Sequence, residues 1–329
     1  VISCKSLSKN FQIHIKRPGI SGALRAFVTR EYRDVSAVKS FDLDIPSGEI
    51  VGFLGPNGAG KTTLIKMLTG IIVPSSGSAI VLGYEPFARA VEFRKQIALV
   101  MGQKSQLWWD IPAYDSFLLL KSYYEISTSD FNQRLNELTE LLNVQHLLQT
   151  HVRRLSLGER MKMELIACLL HQPKVIFLDE PTIGLDLVAQ TAIRDFITRY
   201  HALYGCTVVL TSHYMADVEA LCSRIVLILD GAKRFDGSIE SFEGLLGNEK
   251  YISLTFDKEA RDSNPIWEEL RAEWNEQGTR VDLRIPETRL PELLGTLLQN
   301  YPVSDINTEK LPIEKVMRTL LDKPEMLKS

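Results

Sequence analysis

The segment GPNGAGKTT, Gly55 through Thr63, narrows the possible folds more than any other stretch of the sequence. It fits the spacing G-x-x-x-x-G-K-[ST], with an apolar run, IVGFL, before it and a helical pattern, TTLIKMLTG, after it. Glycine at such positions lets the backbone curl until successive N–H groups face one point, and the helix that follows adds the positive end of its dipole there. The spacing predicts a phosphate cradle built from Gly55, Pro56, Asn57, Gly58, Ala59, Gly60, Lys61, Thr62 and Thr63. Lys61 is placed to reach the terminal phosphates of a nucleotide, and Thr62 to ligate Mg²⁺. A glycine-rich turn that binds nothing is the bland alternative, and the flanking strand and helix argue against it.

The rest of the chain supplies the sheet that such a loop requires. FDLDIPSGEIVGFLG alternates and then turns continuously apolar, as an outer strand leading into a buried one does. KVIFLDE and CTVVLTSH are short strand-like runs joined by the helical stretch AQTAIRDFITRYHALYG, which implies a mainly parallel sheet covered on both faces. Between the phosphate-loop segment and these runs, from about 87 to 155, helical spacing as in FNQRLNELTELLNV predicts a helical subdomain that separates two α/β halves. RIVLILDGAKRFDGS reads as a hairpin turning at Asp230-Gly231. Past it the pattern changes to strand (YISLTF), helix (PIWEELRAEW), strand (TRVDLRI), helix (LPELLGTLLQNY), a further short strand and a final helix (PIEKVMRTLL). The expected division is therefore an α/β domain over 1–240 and a small α+β domain over 248–329.

Composition closes off several function classes. A net charge of -3 over 329 residues gives no bulk attraction for nucleic acid, and no nucleic-acid partner is expected. Cys4, Cys168, Cys206 and Cys222 are scattered without metal or redox spacing, so buried thiols in a reducing compartment are expected. The longest apolar runs are strand-sized, far short of the roughly 20 residues needed to span a bilayer, so any membrane role is expected to come through a partner. The opening VISCKSLSKNF is interrupted by polar residues and reads as no secretory leader.

VIFLDE indicates which nucleotide chemistry accompanies the cradle. Asp179 ends a buried strand, where it is placed to hold Mg²⁺ through water, and Glu180 beside it to polarise an attacking water. With these residues in place the chain resembles the ATP-binding-cassette family over about residues 1–240, its motifs falling in the family's order. The resemblance implies a P-loop NTPase fold with a core sheet, an antiparallel β subdomain and a helical subdomain, binding ATP and Mg²⁺. It implies that Gln103, in VMGQKSQLWWD, is the glutamine-loop residue contacting Mg²⁺ and the catalytic water. LSLGE, from Leu155, is similar to the family's LSGGQ signature; GLD, ending at Asp186, to its D-loop; and His213 to its switch histidine at the γ-phosphate. Phe11 best matches the adenine-stacking aromatic, with Tyr32 the alternative.

Read locally, Ser156 to Glu159 is a capping box that opens an amphipathic helix. The family resemblance adds that the signature of one subunit closes over ATP held by the phosphate loop of another, with Ser156 and Gly158 touching phosphate. Leu157 and Glu159 depart from the family pattern; leucine prevents close approach on its side, and Glu159 brings negative charge unless the cap engages it. Expected partners are a second cassette, as a homodimer, and separate transmembrane permease subunits, with the protein peripheral at the cytoplasmic face. An exporter is implied by the C-terminal domain, which is similar to that of sodium- and drug-exporting members. Residues 14–33 carry Ile20, Leu24, Phe27 and Val28 at helical spacing with Arg25, Arg30 and Arg33, a pattern for docking on a permease or headgroups or for packing on the protein's own sheet. Trp108 and Trp109 lie where the family receives its permease, and one of them is expected at that interface. The rival readings are a soluble cassette ATPase acting on nucleic acid or ribosomes, and a slow nucleotide-dependent scaffold.

Overall fold

The computed structural model describes residues 1–14, 32–102, 104–212, 214–246, 249–262, 264–270, 272–310 and 313–322. Gln103, His213 and most of the proposed amphipathic helix within 14–33 lie outside these residues. The chain forms two compact units, Val1–Asp236 and Gly237–Ser329.

Among the described residues the first unit holds two sheets. β1 (Ile2–His14) pairs antiparallel with β2 (Tyr32–Ile45) and with β4 (Ser76–Val81), giving a three-stranded antiparallel layer. Arg33, which the helical pattern assigned to the insertion, instead lies in β2 opposite Ile13. Alternation through DVSAVKSFDLDI extends the strand back that far, and a period of two outweighs an isolated helical match.

The other sheet has six strands in the order β5-β6-β7-β3-β8-β9. β3 (Ile50–Leu54), β5 (Ile97–Met101), β6 (Val175–Asp179), β7 (Thr207–Thr211) and β8 (Arg224–Leu229) run parallel. β9 (Ala232–Ser238) returns beside β8 through the turn at Asp230 and Gly231, both at positive φ. β3, β6 and β7 are buried at every position, as the continuous apolar runs predict for a sheet covered on both faces. One core of Val51, Phe53, Val175, Phe177, Val209 and Val226 joins them to the antiparallel layer through Leu7, Phe41 and Leu43.

Helices flank this sheet. α1 (Lys61–Leu68) follows the phosphate loop, and α2 (Val91–Arg94) is a single turn. The stretch 87–155 is not helical throughout, because IALVM forms β5 beside β6. A five-residue apolar run is buried alike in strand or helix, so periodicity could not separate the two. The helices proper are α3 (Ala113–Tyr123) and α4 (Thr128–Leu142), which pack against α5 (Leu157–Leu169). α6 (Leu187–Tyr204) and α7 (Met215–Leu221) are the remaining α-helices among the described residues of this unit.

The second unit begins at Gly237, ahead of the composition change at Asn248, because α8 (Ile239–Glu243) packs on the chain's last helix and buries Phe242. Its antiparallel sheet has the order β11-β12-β10-β13, from β10 (Glu249–Phe256), β11 (Glu273–Trp274), β12 (Arg280–Pro286) and β13 (Val303–Lys310). The helix read over PIWEELRAEW stops early: α9 spans Pro265–Glu269, and Trp274 instead pairs with Val281. Trp274 packs within 5.0 Å of Trp267 and 5.7 Å of Phe256, a gain that local helix propensity does not offer. α10 (Leu290–Asn300) and α11 (Ile313–Asp322) cover the sheet.

Candidate active site

Three adjacent strands, β6, β7 and β3, end together, and ligands of parallel sheets bind beyond such ends. Thr211 at the end of β7 sits in register with Phe53 on one side and Asp179 on the other. The phosphate loop leaves β3 at this point.

Its glycines are fixed by close approach. Gly55 has φ 147° and Gly60 φ 106°; a Cβ on Gly55 would lie 2.1 Å from the Ile228 carbonyl oxygen, and one on Gly60 2.3 Å from that of Ala37. The β8–β9 turn braces the loop from outside, since Gly231 N–H donates to Ala59 O at 3.0 Å and Lys39 N–H donates to Gly231 O at 2.8 Å. Pro56, Asn57 and Gly58 form the exposed crest, Ala59 is buried, and Thr63 is half-buried in the first turn of α1. Gly60 caps that helix without a side chain, so the N–H groups of its first turn remain available to an anion.

Lys61 is only 6 % exposed, and its ammonium donates to the carbonyls of Gly55 at 2.6 Å and Pro56 at 3.0 Å. Burial pulls the ammonium below the ordinary lysine range, opposed by the negative charges of Glu180 and Asp179. The Thr62 hydroxyl reaches both Asp179 carboxylate oxygens, at 2.9 and 3.1 Å. Thr211 joins this pair: its hydroxyl donates to Asp179 Oδ1 at 2.7 Å and accepts from Glu180 N–H at 3.1 Å. Glu180 itself is held at φ 56°, a left-handed backbone that costs a non-glycine residue about 1 kcal/mol or more and that Thr211 pins from both its carbonyl and its hydroxyl. Thr211 was not among the residues expected at the site. Its signal was available as the last residue of VVLT, a strand ending beside the end of VIFLD.

The loop after β5 meets this centre. Gly102 N–H donates to Asp179 O at 3.0 Å, and a Cβ there would lie 2.1 Å from Glu180 O. Beyond Glu180, Thr182 and Ser212 both donate to the fully buried Asp217, which also takes Arg194 at 3.2 Å. Phe11 is half-buried on β1 opposite Val35, two residues along β2 from Ala37, and Lys9 lies 5.1 Å above its ring.

The signature segment forms the predicted capping box. Ser156 N–H donates to the Glu159 carboxylate at 2.8 Å, and Glu159 N–H to the Ser156 hydroxyl at 3.2 Å. The backbone bond from Ser156 holds the Glu159 carboxyl below its usual range, with help from the hydroxyl. Its charge is thus engaged in the cap. Leu157 stays partly exposed, with its Cδ2 3.4 Å from where a side chain at Gly184 would begin. A Cβ on Gly158 would meet that of Ala189 at 2.9 Å, so glycine there lets α6 start close by. Asp186 caps α6 by accepting from Ala189 N–H at 2.8 Å. Leu187 and Val188, next in sequence, are 77 % and 81 % exposed. Trp108 and Trp109 are both half-exposed, in a turn rather than on a helix, and Arg160 stacks 5.3 Å over Trp109.

Among the described residues no His, Cys, Asp and Glu cluster forms a metal site, no helix is long and apolar enough to cross a membrane, and the four cysteines are buried and free.

Comparison with known proteins agrees with this geometry. The family model described as "ABC transporter" matches residues 38–183. The chain is 30% identical over 217 residues to the ABC transporter ATP-binding protein NatA of Bacillus subtilis (strain 168), covering 65% of this chain and 88% of that one. It is 33% identical over 213 residues to the Nod factor export ATP-binding protein I of Rhizobium sp. (strain N33), covering 65% and 69%. A dimeric ATP-binding cassette solved in a post-hydrolysis state with ADP and Pi superposes with a TM-score of 0.60 at 20% identity, over 73% of this chain and 99% of that one, a likeness of fold. The chain belongs to the ABC transporter family, as one of its ATP-binding, ATP-hydrolysing proteins.

Proposed function

We propose that this chain is the ATP-hydrolysing subunit of an export-type ABC transporter: two copies close over two Mg-ATP at shared interfaces and drive separate membrane-spanning subunits from the cytoplasmic face. The observation that carries the reading is the convergence of Lys61, Thr62, Asp179 and Glu180 at the ends of β3 and β6. The export direction is supported by the relative that is named for export.

In this reading Lys61 exchanges its bonds to Gly55 and Pro56 for β- and γ-phosphate oxygens, while the N–H groups from Gly58 to Thr63 cradle the rest. Thr62 and Asp179 offer only hard oxygen donors, which suits Mg²⁺, and they would hold it directly and through water. Bound there, Mg²⁺ neutralises charge on the phosphates. Glu180 orients and deprotonates the attacking water, its backbone fixed by Thr211. Gln103 and His213 keep the γ-phosphate-facing roles that the family resemblance gives them. Phe11 stacks on adenine. Ser156 and Gly158 act on the nucleotide of the other copy, across a face where Leu157, Leu187 and Val188 are exposed and where Asp186 holds α6 in place.

The test is the solution mass of Glu180→Gln with and without Mg-ATP, beside its turnover. Mg-ATP is expected to convert a monomer into a dimer, and turnover to fall about 10²-fold or more. Wild-type turnover no faster than that of Glu180→Gln would refute the reading.

A further inference from the structure

Glu164 is a carboxylate where packing asks for a methyl group. It lies on α5, 4 % exposed, between Met163 and Leu165 and one turn before Cys168, all of them buried. An apolar residue would fill the space without the cost of desolvating a charge. The acid is kept satisfied by one short stretch of chain. Ser105 donates its hydroxyl, Gln106 its N–H at 2.9 and 3.1 Å, and Leu107 its N–H at 3.4 Å. The Gln106 side chain adds a second tie, donating to Leu99 O at the sheet and to Cys168 Sγ on α5.

The same stretch is fastened at its other end to the catalytic strand. Gly102 donates to Asp179 O, its Cα pressed against Glu180 O so closely that no side chain fits, and Lys104 N–H closes a turn onto Met101 O at 2.9 Å. The described residues 101–102 and 104–107 therefore act as a strap: Gly102 holds the backbone at Asp179, and Ser105–Leu107 hold α5, the helix that Ser156 caps.

We propose that Glu164 is a positioning residue for ATP hydrolysis, whose carboxylate fixes the signature helix in register with Glu180 through the loop Ser105–Leu107. The proposal rests on the reading that this helix completes the nucleotide site of a second copy. To the non-directional packing of the buried residues of α5 a carboxylate with three donors on one loop adds a directional constraint on its position. Misplacing a group of the site by a fraction of a helical rise is enough to cost one to two decades of rate.

The experiment compares wild type, Glu164→Gln, Ser105→Ala and the double variant as full-length proteins. Readouts are the Mg-ATP affinity of the monomer, kcat and KM for hydrolysis, and the ATP-dependent dimer mass in a Glu180→Gln background. Glutamine matches glutamate in shape but puts an amide NH2, which donates, where one carboxylate oxygen accepts. The expected result is monomer affinity within about twofold of wild type, kcat lower by about ten- to a hundredfold, and a dimer that needs about tenfold more ATP or protein. Ser105→Ala lowers kcat less, and adding it to Glu164→Gln lowers kcat no further, because both act through one strap. If Glu164→Gln fails to fold, Ser105→Ala, whose side chain is exposed, decides alone: kcat lowered with affinity retained supports the strap, and unchanged kcat overturns it. Equal losses of affinity, kcat and melting temperature would reduce Glu164 to a structural residue and overturn the proposal. A wild type that neither turns over ATP nor yields an ATP-dependent Glu180→Gln dimer would overturn both the proposal and the reading beneath it; a wild type that does both, beside an unaffected Glu164→Gln, overturns only the strap.

Discussion

His171 sits at the end of α5 with its Nε2 donating to Ile97 O at 2.9 Å and its ring stacked 4.0 Å from Tyr124. Burial penalises its cation, and Arg134 adds to that penalty against the opposing bond to Ile97, so that the imidazole titrates at about 4 rather than 6.5. The unfolded chain takes up this proton first as the pH falls. Stability from the neutral ring is therefore complete above 6.5, declines below it, and is gone by about 4. His171→Phe keeps the stack and removes the titration, and we expect urea midpoints across that interval to fall less steeply for the variant than for wild type. Gly60→Ala acts through shape instead of charge. With φ at 106° and the Ala37 carbonyl 2.3 Å from the new Cβ, the loop must shift, at a cost of about 1–3 kcal/mol in strain. Mg-ATP affinity is expected to drop at least about tenfold while the fold survives; an unchanged affinity by titration calorimetry would show that the cradle tolerates a different curl.

At the scale of elements, the loops around the site are held by buried acids. Asp217, on α7, accepts from Thr182 in the loop after Glu180, from Ser212 at 2.6 Å just after β7, and from Arg194 on α6. Asp217→Ala leaves the mostly buried Arg194 guanidinium without its carboxylate, a loss of about 3–5 kcal/mol that a urea midpoint will register. Arg194→Met in the same background is expected to recover part of it, since the stranded charge is then gone. Nothing in the sequence announced this knot. Phosphate loops, caps and hairpin turns were legible because each is written at fixed offsets within a few residues: Gly55 to Thr63, Ser156 with Glu159, Asp230-Gly231. Asp217, Glu164 and Thr211 do their work across strands and helices far apart in sequence. β5 and the Trp274 strand were misread for a related reason, since both choose their state by what they pack against: β6 in one case, Trp267 and Phe256 in the other.

The whole molecule is two units, each with a core of its own. Ile252, Leu254, Phe256, Trp267, Leu283 and Leu297 close the second, and the residues proposed for the nucleotide site all belong to the first. The first unit needs chain up to Asp236, because that carboxylate takes Arg224 at 2.7 Å and Lys233 at 2.8 Å and so fastens β9 onto β8. A fragment ending at residue 240 should therefore fold and bind Mg-ATP as the full chain does, and one ending at residue 230 should melt lower for want of β9. In calorimetry of the full chain we expect two transitions. On the proposed function Mg-ATP binds only the folded first unit, so at about a hundred times its dissociation constant we expect it to stabilise that unit by about 2.7 kcal/mol and to leave the other transition where it was. Both transitions moving together with nucleotide would mean that the units unfold as one, and that the second takes part in what ATP does to the first.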